Sequence, residues 1–389
     1  MMSRVNKTIV VCVVLLSGMG LLALWTEAPP TDLSGKAVTQ SIFLKQATFL
    51  GLALAVMGLV AWPNYQNYRH VAFIGYVALL AALLLLLLKG RDTRGTRGWF
   101  YVGPFALQPA EFMKIALVLT LATVLMYGRD VRTWRGLALP IALTIAPAGL
   151  IVIQPDLGTT LLLIPTLLAM LFAAGARKRH LAIIVCVLLA AAPVVWFTGM
   201  KEYQRNRILS FAFPEKVSAD LRMQQERSVE ACASGGLIGR GLGEGGVQAP
   251  FAIPDRHTDF VFSIIAEEMG FAGSTFVLIL LGIFFAKCYQ IAHYSREPFG
   301  RLLVVGVTTL LATQTFINLG MTLGVAPITG LTLPFISYGG SSLLTCGVAA
   351  GLVLNVSARW QPGFSSRYMA GGSVEIRDFK PQAGNWLAH

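Results

Sequence analysis

Apolar runs recur along nearly the whole chain, parted by short polar breaks. They read as 9–25, 42–62, 71–88, 111–127, 136–154, 157–175, 181–198, 260–286, 301–323 and 336–357. Each reaches the roughly 17–25 residues with which a helix crosses a bilayer. The pattern predicts an all-α polytopic membrane protein of about ten transmembrane helices. A barrel is excluded, because barrel strands are short and alternate. The first run follows Arg4 and Lys7, which is also how a secretory signal begins. Thr26-Glu27-Ala28 is a poor cleavage site, so the reading is an uncleaved first span.

One long stretch interrupts the pattern. Residues 199–259 are polar and rich in Arg and Gly, and form a large extracytoplasmic loop between the seventh and eighth spans. The domain expectation is therefore a transmembrane domain over 1–362 and a flexible cytoplasmic tail over 363–389. Within the loop, Glu202 to Pro214 mixes Arg205 and Arg207 with Phe211 and Phe213, as a helix lying on the outer leaflet would. Gly235 to Gly246 holds seven glycines and superficially resembles a phosphate loop. No strand precedes it and no Gly-Lys-Ser/Thr follows, so the choice is between backbone close to a ligand and a hinge.

Charge now refines the picture. The net charge is +12, which in a soluble chain would suggest nucleic acid. Here Arg69, Arg129, Arg132, Arg135, Arg177, Lys178, Arg179, Lys287, Arg296 and Arg301 fall in alternate loops. That is the positive-inside pattern, with both termini cytoplasmic and no nucleic-acid partner. One outer loop departs from it: Lys89, Arg91, Arg94 and Arg97 stand against Asp92 alone. Either the topology tolerates them, or they meet an anion at the outer surface, a task for which Arg is well shaped. Five cysteines show no pairing or zinc spacing and read as structural thiols.

Charges inside the spans are the candidate chemistry. Glu111 and Lys114 are three apart on one helix face and can neutralise each other. Each costs roughly 2.5–3.5 kcal/mol if buried alone at mid-bilayer, so both should face the bundle. A structural pair and a substrate site are both open; if structural, reversing both charges should restore activity lost on changing either. Asp156 is placed to cap the sixth span. Glu267 and Glu268 are adjacent, so they cannot share a narrow stripe and at least one should line the interior. Gly347 and Gly351 have close-packing spacing. Thr258 or Asp259 either caps the eighth span or presents a carboxylate as general base.

Four separated signatures then resemble the SEDS family (shape, elongation, division and sporulation), the RodA/FtsW type of peptidoglycan polymerase. They are a basic loop ending in Trp99 before Gln108-Pro109-Ala110-Glu111 and Lys114; Gln154-Pro155-Asp156; Pro254 to Phe260 with Ala266-Glu267-Glu268-Met269-Gly270; and Leu333 to Ser342. The match departs at Gly98, which parts Arg97 from Trp99, and at Ala110, where the family has Ser. The resemblance covers about 5–360 and implies glycosyltransfer on lipid II, with undecaprenyl pyrophosphate released, in the bacterial cytoplasmic membrane. It implies Asp259 as the catalytic carboxylate and Trp99, Glu111 and Lys114 as residues needed for activity. Arg97, Arg207, His257, Ser337 and Tyr338 join the expected substrate site, with Asp156, Glu267 and Glu268 supporting. A class B penicillin-binding protein is the implied partner, with other elongation or division proteins. The sequence requires no cofactor; a divalent cation is compatible with a pyrophosphate, although no ligand set demands one. The competing readings are a lipid II flippase and a non-catalytic scaffold.

Overall fold

The computed structural model describes residues 6–26, 38–90, 98–102, 105–127, 131–213, 215, 219–243 and 256–359. Twelve α-helices run in order among them: α1 (Lys7–Thr26), α2 (Val38–Ala61), α3 (Tyr68–Lys89), α4 (Pro109–Met126), α5 (Trp134–Ile153), α6 (Leu157–Ala173), α7 (Lys178–Val194), α8 (Glu202–Ala212), α9 (Ala219–Ser234), α10 (Val261–Tyr294), α11 (Pro298–Thr322) and α12 (Gly340–Arg359). Nine helical stretches among the described residues are long and apolar enough to cross a membrane, and α6 is a shorter apolar helix. Together these are the ten expected spans. The chain is a multi-pass helical membrane protein.

The bundle is built on α4, whose residues are almost all buried between α3, α6, α11 and α12. Helix α12 lies along α2. A Cβ on Gly347 would stand 2.6 Å from the Ala53 carbonyl oxygen, and one on Gly351 2.7 Å from that of Met57. The expected small-residue packing is therefore real: any larger side chain would push the two backbones apart. Asn355, fully buried, fixes the far end by donating to the Val60 and Pro63 carbonyls and accepting from Tyr65 N–H. Helix α7 is different. It touches the bundle chiefly through α6, exposes most of its apolar side chains, and ends in a π-helical turn at Val195–Gly199.

The structure corrects the expected boundaries in four places. The 199–259 stretch is not plain loop. It holds α8, where a helix was expected, and α9, where none was. Hydropathy passes over α9 because its inward face is polar: Gln225 donates to the Ala326 carbonyl and Ser228 to that of Thr322. The eighth span reaches Tyr294 rather than 286, and it is broken at Gly270 (φ 62°, ψ −157°). The tenth begins at Gly340, because Leu333 to Gly339 turn, with Phe335 at φ 67°. Finally, a two-stranded hairpin, β1 (Phe100–Val102) and β2 (Phe105–Leu107), precedes α4.

Candidate active site

Helix α10 sets the geometry. From Val261 to Glu268 every residue is buried; beyond Gly270 the helix exposes Phe271, Phe276, Leu278 and Ile279. The limb from Phe271 to Tyr294 is long enough by itself to cross about 30 Å of hydrocarbon. The first limb is thus a half-helix enclosed by protein, and Asp259 stands just before its N-terminus. Phe260 is the N-cap residue, and its own side chain makes no capping hydrogen bond.

Three elements converge on Asp259. Its carbonyl accepts from Asn318 Nδ2 of α11 at 2.8 Å, and the same nitrogen donates to the Leu331 carbonyl at 2.6 Å. Asn318 is fully buried and so ties the Asp259 corner to the loop between α11 and α12. In that loop Gly330 (φ 76°) lies close to two charges. A Cβ there would be 3.4 Å from Arg207 Nη1 of α8 and 3.6 Å from Asp259 Oδ2. The third contact is His257, whose carbonyl accepts from Tyr338 N–H at 3.0 Å and whose ring meets the Tyr338 ring edge-on, centroids 5.5 Å apart. Burial pushes the Tyr338 hydroxyl above its ordinary value. Asp259, Arg207, His257 and Tyr338, spread over 132 positions from 207 to 338, thus meet at one end of the bundle.

A polar seam continues inward from this point. One turn along α11 from Asn318, Gln314 donates to the Thr332 carbonyl at 2.9 Å and accepts from Lys114 Nζ at 3.3 Å. Lys114 Nζ also stands 2.8 Å from Glu111 Oε1. The pair is as close as the i, i+3 spacing predicted, and both partners are buried. Glu111 Oε2 is buried with no partner among the described residues. Thr332 shares a hydrogen bond with Ser342 at 2.7 Å, and Ser341 Oγ accepts from Gln108 N–H at 3.0 Å. Gln108 Nε2 reaches Asp156 at 3.1 Å, and Asp156 caps α6 through Thr159 N–H at 2.9 Å.

Ser337 is buried within the loop, its hydroxyl accepting from Leu333 N–H at 2.7 Å and its carbonyl from Gln46 at 3.1 Å. Trp99 is half-buried ahead of the hairpin. Arg97 and the rest of the basic 91–97 stretch lie outside the described residues.

Glu267 and Glu268 are both buried and belong to a second cluster. Glu267 pairs with Arg256 and, at 3.5 Å, with Arg240; Glu268 accepts from Thr26 at the end of α1 and from Gly243 N–H at 3.4 Å. Adjacent carboxylates can both be buried because the 235–243 segment wraps the second one. Beside them Cys232 is held protonated, its thiol pushed up to about 11 by burial, with Arg256 opposing and Glu267 adding to the shift. The sequence reading missed Asn318, Gln314, Arg256 and Gly330. Gln314, Asn318 and Thr322, four apart in an apolar run, are the signal that would have found the first two.

Together these define a class: a polytopic helical membrane protein with a carboxylate and an arginine at one mouth of its bundle, backed by a buried ion pair. Comparison with known proteins makes the class specific. The family of FtsW, RodA and SpoVE cell cycle proteins matches residues 6–361. Relatives include a protein named probable peptidoglycan glycosyltransferase FtsW from Bacillus subtilis, 33% identical over 92% of this chain and 91% of its own. Another is peptidoglycan glycosyltransferase MrdB of Escherichia coli, 32% identical over 67% of this chain and 71% of its own. Among solved structures, Thermus thermophilus RodA superposes with a TM-score of 0.68 at 32% identity, covering 92% of this chain and 97% of that one. A chain from a peptidoglycan synthase complex that coordinates polymerisation and crosslinking gives 0.78 at 34% identity, covering 91% and 97%. The chain belongs to this family of membrane-embedded peptidoglycan glycosyltransferases.

Proposed function

We propose that this chain polymerises lipid II into glycan strands at the outer face of the bacterial cytoplasmic membrane, releasing undecaprenyl pyrophosphate. The observation that carries the reading is the Asp259 corner: a carboxylate at the head of an enclosed half-helix, its backbone held by Asn318, with Arg207 also close to Gly330. A sugar hydroxyl is a weak nucleophile, and a positioned base is worth typically 10²–10⁴-fold. Asp259 accepts the hydroxyl proton as the oxygen attacks the anomeric carbon of the donor. The bond from that carbon to the pyrophosphate oxygen breaks, and the pyrophosphate leaves with the electron pair. Its growing charge meets Arg207. Lys114, already bonded to Glu111 and Gln314, supports the loop that carries Gly330 rather than meeting the leaving group.

A divalent cation, when bound, would share the charge of the pyrophosphate. Both termini are cytoplasmic on this reading, and a class B penicillin-binding protein supplies the crosslinking. The family resemblance to a synthase complex that does both supports that partner. The test is labelled lipid II with the purified protein in detergent. Wild type makes glycan without a second compartment, which a flippase would not. Asp259→Asn keeps the wild-type melting behaviour and makes none. Polymer from that variant removes Asp259 as the base.

A further inference from the structure

The glycine segment 235–243 is bonded into the break of α10 through its backbone. Arg240 N–H donates to the Glu267 carbonyl at 2.9 Å and Gly241 N–H to that of Glu268 at 3.2 Å. In return, Phe271 N–H donates to the Gly236 carbonyl at 2.9 Å and Ala272 N–H to that of Leu237 at 3.1 Å. Carbonyls and amides freed by the break are thereby satisfied, the condition for irregular backbone at membrane depth. A side chain on Gly235, Gly239 or Gly270 would overlap the facing backbone, so the glycines serve close docking rather than a ligand.

The side chains tell a complementary story. Leu237 is 77% exposed, Ile238 85%, Leu242 55% and neighbouring Phe271 65%. The tip is bonded to the start of the limb that crosses the membrane, through Phe271 and Ala272, and on that limb Phe271 and Leu278, seven apart and so on one helix face, are both exposed. Its level is fixed by Glu268, bonded to Thr26 at the end of the transmembrane helix α1. Arg240, half-exposed, stands at its rim, as a residue with an apolar stem and a headgroup-seeking tip does.

We propose that residues 235–243 are a membrane anchor whose Leu237, Ile238 and Leu242 insert among the lipid acyl chains of the leaflet at the Asp259 end. A water-facing loop with a satisfied backbone gains nothing from three exposed aliphatic side chains; immersed, each removes apolar area from water at about 25 cal/mol per Å². Through Arg240, Glu267 and Arg256, which lies three residues before Asp259, the anchor sets the depth of the catalytic corner. The proposal does not rest on the reaction assigned above.

The experiment uses a full-length chain with Cys186→Ser and Cys232→Ser, labelled with bimane at Ile238→Cys and reconstituted in phosphatidylglycerol nanodiscs with brominated acyl chains. Quenching is expected to reach at least half of that at Leu278→Cys on the lipid face of α10, with none at Glu226→Cys on α9. Leu242→Cys repeats the measurement should the first position impair folding. Quenching at 238 and 242 no greater than at 226 overturns the proposal, whether water or protein covers the tip.

Discussion

At the scale of single residues, the site depends on one position that carries no chemistry. Gly330 has a positive φ and sits beside both Arg207 and Asp259. Gly330→Ala incurs roughly 1–2 kcal/mol for the left-handed backbone and puts a methyl group against both charged side chains. The expected outcome is a protein that still folds, by thermal melting, with lipid II polymerisation down about 10²-fold, the scale of a 1 Å misplacement. Unchanged turnover would show that the two side chains do not act on one substrate. Asp259, Glu111 and Lys114 were legible in the sequence because charges beside or within apolar runs demand an explanation. Asn318 was not. An amide within a span reads as tolerated polarity until the structure shows it donating to two carbonyls 72 residues apart in the chain, at 259 and 331.

At the scale of elements, spacing predicted contacts within a helix and was silent on contacts between helices. The i, i+3 relation gives the Glu111–Lys114 pair, and a pure ion pair would survive reversal. The structure alters that expectation, because Lys114 also donates to Gln314 Oε1, while Gln314 Nε2 is committed to Thr332. Exchanging the two residues, Glu111→Lys with Lys114→Glu, sets a carboxylate against the Gln314 carbonyl oxygen. The double variant should melt closer to wild type than either single one, yet polymerise at least tenfold more slowly. Full recovery would make the pair purely structural. Helix α10 repeats the lesson: its length and hydropathy were readable, but its break was not. Gly270 in an apolar run is ordinary in a membrane helix; its positive φ is easy for glycine, and the docked 235–243 segment satisfies the backbone groups that the break frees.

At the scale of the whole molecule, the reading requires the Asp259 corner to face the compartment where the lipid-linked sugars are displayed. Thr258→Cys, in a background lacking Cys186 and Cys232, should react with a membrane-impermeant maleimide added outside intact spheroplasts. Reaction only after lysis would place the corner in the cytoplasm and end the mechanism. The sequence by itself determined the number of spans, their order, the alternation of basic loops and the four signatures. These follow from local hydropathy, charge and spacing, which the bilayer reads segment by segment. Tertiary structure alone decided that the first limb of α10 turns inward, that α9 covers α11 with a polar face, and that Arg207, Asp259 and Gly330 share one mouth. Those facts arise from hydrogen bonds between groups far apart in the chain, made where no water competes for them, and no window of neighbouring residues contains them.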